Sequence, residues 1–146
     1  MVGTCKRLFV ATLALALIAC GDSTGPGGSN ANVTGTYALR TINGTSVPVT
    51  LVQIPGYSLR ILSATLTLNA PNTFSTIGTY QETEGAVTVT VSETCTGTYT
   101  LNGTSIAFSE AFSNNTDCGG NYNGNWDGSR KVTVALDATV QAVFEK

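Results

Sequence analysis

The chain has no histidine, one methionine, one tryptophan and only 11% charged residues, against roughly 25% in an average globular protein. Without histidine there is no Ser-His-Asp triad, no Cys-His nucleophile pair and no imidazole-ligated metal. Seven Lys and Arg among 146 residues form no basic patch, and a pI of about 4.9 excludes the electrostatic footprint of a nucleic-acid binder. No stretch after residue 20 keeps a 3.6-residue apolar period, which excludes a helix bundle. Polarity comes instead from Thr, Ser, Asn and Gly. Thr favours strands because it is β-branched, and Gly and Asn punctuate turns. The length suggests one domain.

The one long apolar run lies at the start. Lys6 and Arg7 precede Leu8 to Ala19, which carries no charge. It is shorter than the roughly 20 apolar residues of a transmembrane helix and fits the apolar region of a signal peptide. It ends in Leu17-Ile18-Ala19-Cys20, which resembles the lipobox of bacterial lipoproteins: Leu, an aliphatic or small residue, Ala or Gly, then Cys. That resemblance implies diacylglycerol on the Cys20 sulfur, cleavage before Cys20 and acylation of the new amino terminus. Two or more acyl chains anchor a protein stably, so Cys20 would hold the chain on a membrane without a spanning helix. Gly21, rather than Asp, follows the cysteine, which under the enterobacterial sorting rule points to the outer membrane. The expected organisation is a signal peptide over 1–19, lipidated Cys20 with a polar tether over 20–32, and a folded domain over 33–146. The tether, rich in Gly, Ser and Asn, has a reach of about 20 Å. Loss of Lys6 and Arg7 takes the net charge from −2 to about −4.

The domain reads as all-β. Strands are expected at Gly35–Thr41, Val47–Ile54, Tyr57–Leu62, Ala64–Asn69, Phe74–Glu82, Val87–Val91, Gly97–Leu101, around Ile106 and Phe108, at Tyr122–Trp126, Val132–Leu136 and Thr139–Glu145. Asn43-Gly44, Pro55-Gly56, Asn102-Gly103 and Asp127-Gly128 mark turns. Hairpin-length connections predict an antiparallel up-and-down meander, and closure into a small barrel removes the aggregation-prone edges. The alternative is a two-sheet sandwich. Gly35-Thr36-Tyr37, the run Thr65 to Ser75 and the closing Ala142 to Lys146 resemble small bacterial lipocalin-like domains. That resemblance implies a barrel with a ligand mouth, although Tyr37 stands where the family opening usually has Trp.

Few residues carry candidate chemistry. With Cys5 in the removed leader and Cys20 taken by lipid, Cys95 and Cys118 are left to form one disulfide in an oxidising compartment. Both lie at one end of a three-strand meander, with Cys95 opening the first strand and Cys118 preceding the third. The 111–119 loop must fold back over the middle strand to join them, because two inter-strand spacings exceed a disulfide's reach. Tyr37, Tyr99, Tyr122 and Trp126 share the inward face of their strands, where they line a ligand mouth or fill the core. Asn123-x-Asn125-x-Asp127-Gly128 resembles half of a Ca²⁺ loop, but Val134 stands where the bidentate Glu belongs, so no metal site and no cofactor is expected. The acidic residues are scattered and mark no paired-carboxylate active site. These readings describe a non-catalytic, membrane-anchored envelope lipoprotein whose lipocalin-like domain binds a small apolar ligand. The alternative is a structural or inhibitor-like protein-interaction module with a side-chain-filled barrel.

Overall fold

A computed structural model describes residues 32–111 and 118–146. Cys20 and the lipobox-like run before it lie outside the described residues, as does most of the 111–119 loop. Ten strands follow in order: β1 (Gly35–Ile42), β2 (Thr45–Ser46), β3 (Val49–Ile54), β4 (Tyr57–Asn69), β5 (Thr73–Glu84), β6 (Val87–Asn102), β7 (Ser105–Glu110), β8 (Gly120–Trp126), β9 (Lys131–Ala135) and β10 (Gln141–Glu145). From β4 to β10 each strand pairs antiparallel with the next. The ring closes because β1 pairs with β10 on one side and with the second half of β4 on the other, placing Tyr37 opposite Leu66. The result is the expected all-β meander, an eight-stranded closed barrel with β2 and β3 as additional strands.

Turn chemistry sets the hairpins. Asn43 and Gly44 both have positive φ, as the tightest hairpin turn requires. At the next Asn-Gly pair the turn falls one residue later than expected: Asn102 pairs with Ser105, so Gly103 and Thr104 form the bend. Asp127 caps the β8–β9 turn by accepting the backbone N–H groups of Ser129, Arg130 and Lys131, each at 2.9 Å. Those bonds, led by the one from Lys131, hold its carboxyl below the usual carboxylate range. The half calcium motif is therefore a hairpin cap.

Two expected breaks are absent. Tyr57 to Leu62 and Ala64 to Asn69 form one strand, with the register slipping between Ile61 and Ser63; the bulge bends β4 without ending it. Val87 to Val91 and Gly97 to Leu101 are likewise parts of the 16-residue β6, because Glu93 to Thr96 keep the β5 pairing through the polar stretch between them. The last strand starts at Gln141 rather than Thr139, whose N–H bonds Asp137 instead.

These long strands give the molecule two unlike ends. At the end bearing the hairpin turns 69–73, 102–105 and 126–131, the barrel is filled. Tyr37, Leu66, Leu68, Phe74, Tyr99, Ile106, Phe108, Trp126, Val132 and Val134 are buried there. Phe74 meets Phe108 edge-on at 5.1 Å, and Phe108 stacks on Tyr122 at 5.0 Å. Two glycines admit these rings. A Cβ on Gly97 would lie 2.7 Å from Phe74 and would strike the Ser109 carbonyl, and one on Gly124 would lie 3.1 Å from Phe108. Lys146 closes this end, with Nζ donating to the Thr34 carbonyl at 2.7 Å and sitting 4.6 Å from the centre of the Tyr37 ring.

At the opposite end β4, β5 and β6 run on past the barrel. β7 stops at Glu110, opposite Gly97, so Val87 to Thr96 of β6 have no β7 neighbour. β3 takes the place of β1 beside β4. The outcome is a four-stranded flap, β3-β4-β5-β6, projecting above the barrel mouth.

Candidate functional site

The flap has two chemically different faces. Its outer face alternates Thr, Ser and Gln, with cross-strand pairs Thr79–Ser92 and Thr83–Thr88 joined by hydroxyl hydrogen bonds at 3.0 Å. On the inner face the register makes three rows across the four strands: Val49, Ile61, Tyr80 and Val91; then Val52, Leu59, Glu82 and Val89; then Ile54, Tyr57, Glu84 and Val87. This face continues the barrel interior, yet Ile54, Val87 and Val89 are more than half exposed. The period-2 alternation that normally buries one face of a sheet here leaves an apolar surface facing open space.

Beneath the flap lie two adjoining cavities that share Ala64, Gly78, Tyr80, Leu136 and Phe144. The first, about 220 Å³, also meets Glu93, Glu110 and Tyr122. The second, about 170 Å³, extends towards Leu39, Ile42, Leu51 and Ile61 and presents no polar surface. Neither reaches the roughly 300–1,000 Å³ of a drug-sized site, so an occupant would fill both or extend onto the flap. A groove of about 280 Å³ along Thr98, Ala107 and Asn121 lies on the outer wall of β6, β7 and β8, away from this mouth.

Glu110 is fixed in place. It accepts the Gly119 N–H at 3.1 Å and the Tyr122 hydroxyl at 3.4 Å. Burial first, then the Glu110 charge and hydrogen bond, push the Tyr122 phenol well above its ordinary pKa. On the flap, the Tyr57 hydroxyl donates to Glu82 at 3.1 Å. Glu93 and the two cysteine sulfurs come together, but the sulfurs are joined in a disulfide and offer no thiolate to a metal.

The Cys95–Cys118 disulfide joins Cα atoms 5.5 Å apart. Cys95 lies midway along β6 rather than opening it, and this changes how the bridge is reached. Since β7 ends opposite Gly97, two residues below Cys95, Cys118 takes the position beside β6 that β7 has left. The gap is one strand spacing and not two. The Ala111 N–H bonding the Thr96 carbonyl at 2.8 Å starts that path.

The four aromatic residues picked from the sequence divide between the ends. Tyr37 is fully buried at the filled end, its hydroxyl donating to the Val33 carbonyl. Tyr99 donates to the Asn69 carbonyl at 3.3 Å, and Trp126 is buried beside the same turns. Of the four, Tyr122 alone reaches the mouth cavities. Sequence reading missed the remaining liners Tyr80, Leu136, Glu93 and Glu110. For Tyr80 and Glu93 the signal was the inward parity of β5 and β6, which the unrecognised continuity of β6 concealed; Glu110 at the end of β7 and Leu136 just after β9 carried no such signal. The chain matches no protein-family model, no curated protein and no solved structure.

Proposed function

We propose that the chain is a non-catalytic, lipid-anchored lipoprotein of the bacterial envelope whose barrel holds a small apolar ligand beneath the flap. The observation that carries this reading is the continuity of an apolar cavity with an exposed apolar sheet face. A small up-and-down barrel with a ligand mouth is also the form that the lipocalin-like resemblance implies. The lack of histidine anywhere in the chain supports the non-catalytic part, since it removes the commonest general base. The described domain begins beside the filled end, where Lys146 bonds the Asn32 and Thr34 carbonyls. A tether from Cys20 would thus leave the open mouth pointing away from the membrane.

The test uses the chain from residue 20 onward, carrying Cys20→Ser so that it stays soluble, examined by native mass spectrometry for co-purifying small molecules. Gly78→Leu is the matched control: a Cβ there meets nothing within 4 Å, so the side chain grows into the shared part of the two cavities. A bound mass in the parent that disappears in Gly78→Leu supports the reading, and an empty parent overturns it. The anchor is tested separately by labelling cells with an alkyne fatty acid. Label on the full-length protein and none on Cys20→Ser is expected; an unlabelled, soluble full-length protein would remove the lipoprotein assignment.

A second reading rests on the flap alone. Its exposed valines and the β6 edge beyond β7 are surfaces that a protein partner could cover, as an envelope interaction module would require. A partner that binds Gly78→Leu as well as it binds the parent would favour this reading over the ligand carrier.

A further inference from the structure

Charge is distributed unevenly over the barrel. Glu93 and Glu110 line the larger mouth cavity, and Glu82 and Glu84 continue on the inner face of the flap by register. Among the described residues no Lys or Arg shares that face. Arg60 lies opposite Thr50 and Gln81 on the outer face. Arg40 is on the outer wall beside Glu145, at 3.9 Å. Arg130, Lys131 and Lys146 gather at the filled end.

The two cavities divide the same way. The larger sets two carboxylates beside the rings of Tyr80, Tyr122 and Phe144, whereas the smaller offers only apolar surface. Carboxylates with aromatic faces suit an ammonium group, through direct charge attraction and through the ring quadrupole. The adjoining apolar space suits an aliphatic chain.

Building on the apolar-ligand reading, we propose that the occupant of the mouth is a cationic amphiphile, its ammonium head between Glu93 and Glu110 and its aliphatic body in the cavity along Leu39, Ile42 and Ile61. The acidic stripe on the flap would also draw such a molecule towards the mouth. A second copy of the chain fits this surface less well, since two facing flaps would oppose their Glu82 and Glu84 stripes.

The test is a matched probe series measured by isothermal titration calorimetry on the Cys20→Ser chain from residue 20: decyltrimethylammonium, decanol and decanoate, each below its micellar concentration. The ammonium probe is expected to bind about tenfold more tightly than decanol, with decanoate weakest, as one favourable charge contact of ordinary strength would give. The double variant Glu93→Gln, Glu110→Gln should abolish that preference, bringing the ammonium probe to the affinity of decanol measured on the same variant. Glu110→Gln keeps one acceptor oxygen for the Gly119 N–H, and its amide NH2 replaces the second oxygen as a donor to the Tyr122 hydroxyl oxygen.

Equal affinity for decanol and the ammonium probe would overturn the cationic assignment while leaving the apolar-ligand reading standing. Binding of none of the three would overturn both. A cation preference that survives the double variant would overturn the role of these two carboxylates, and a concentration-dependent dimer in sedimentation that blocks probe binding would show a second copy as the occupant instead.

Discussion

The two ends of the barrel share one meander and the same period-2 alternation, yet one is filled and the other open. At the filled end inward-facing aromatic rings meet across the barrel, and Gly97 and Gly124 remove the side chains that would keep them apart. At the open end the inward positions of β3 to β6 hold Val, Leu, Ile and Tyr together with Glu82 and Glu84, with no opposing strand among the described residues, because β7 stops opposite Gly97 while β6 extends back to Val87. Burial therefore concentrates stability at one end, and lack of an opposing wall leaves apolar surface available at the other. The end that holds the fold together and the end proposed to hold a ligand are separate, so changes at one should leave the other's property largely intact.

The sharpest way to break that separation is Phe74→Ala. Phe74 is 2% exposed and packs on Phe108 and Tyr122, so truncation should cost about 3–5 kcal/mol, read as a fall in the urea midpoint. Val89→Ala, on the flap, should cost far less. Comparable losses would mean that the flap is part of the cooperative core.

Reduction of Cys95–Cys118 comes next. The bridge spans 23 residues, and releasing a loop of that size costs about 3 kcal/mol in the chain-entropy account. Hydrogen exchange should accelerate first along Val87 to Thr96, which have no β7 neighbour, and last along β1 and β7. Uniform acceleration would show that the bridge staples the whole barrel.

The two inward glycines of β5 and β6 make a finer contrast. Gly97→Ala drives a methyl into Phe74 and the Ser109 carbonyl and should cost about 1–3 kcal/mol. Gly78→Ala meets open space and should be neutral or slightly stabilising, since glycine weakens a strand interior. Equal effects in thermal unfolding would contradict the packing described for the filled end.

Alkaline pH acts on the filled end through Tyr37. Burial pushes its phenol from 10 up to about 12, so the folded state holds the proton more tightly than the unfolded chain. Its contribution is fully present below pH 10 and is lost as pH rises through about 12. The loss at about pH 11 should be on the order of 1 kcal/mol. Tyr37→Phe should flatten this part of the urea-midpoint profile; an unchanged slope between about pH 9 and 11 would assign the loss to other groups.

Much of this architecture was legible in the sequence. Alternation such as Val87-x-Val89-x-Val91 and turn pairs such as Asn43-Gly44 report local geometry directly, and together they lead to the antiparallel barrel. Strand continuity was harder to read. The Ile61–Ser63 bulge and the polar Glu93 to Thr96 both look like breaks locally, and only pairing with β5 carries β4 and β6 through them. That continuity creates the flap, so the open mouth and its liners Tyr80 and Glu93 stayed hidden although the fold class did not. The disulfide partners were legible from the cysteine count, whereas the way the bridge is reached depended on where β7 ends.

The smallest expected effect lies on the flap itself. Val89 is 53% exposed and sits in a row with Val52, Leu59 and Glu82. Val89→Thr keeps the β-branched shape that suits a strand and exchanges one methyl for a hydroxyl that water can reach. Because the site is exposed and touches no cap, core ring or buried charge, stability should change by no more than about 0.5 kcal/mol. The same exchange removes apolar area from the face that leads into the mouth, so it should weaken decanol binding measurably while leaving the urea midpoint in place. A variant that lost stability and kept its affinity would reverse the division between the two ends, since it would make the flap a structural surface and the mouth indifferent to it.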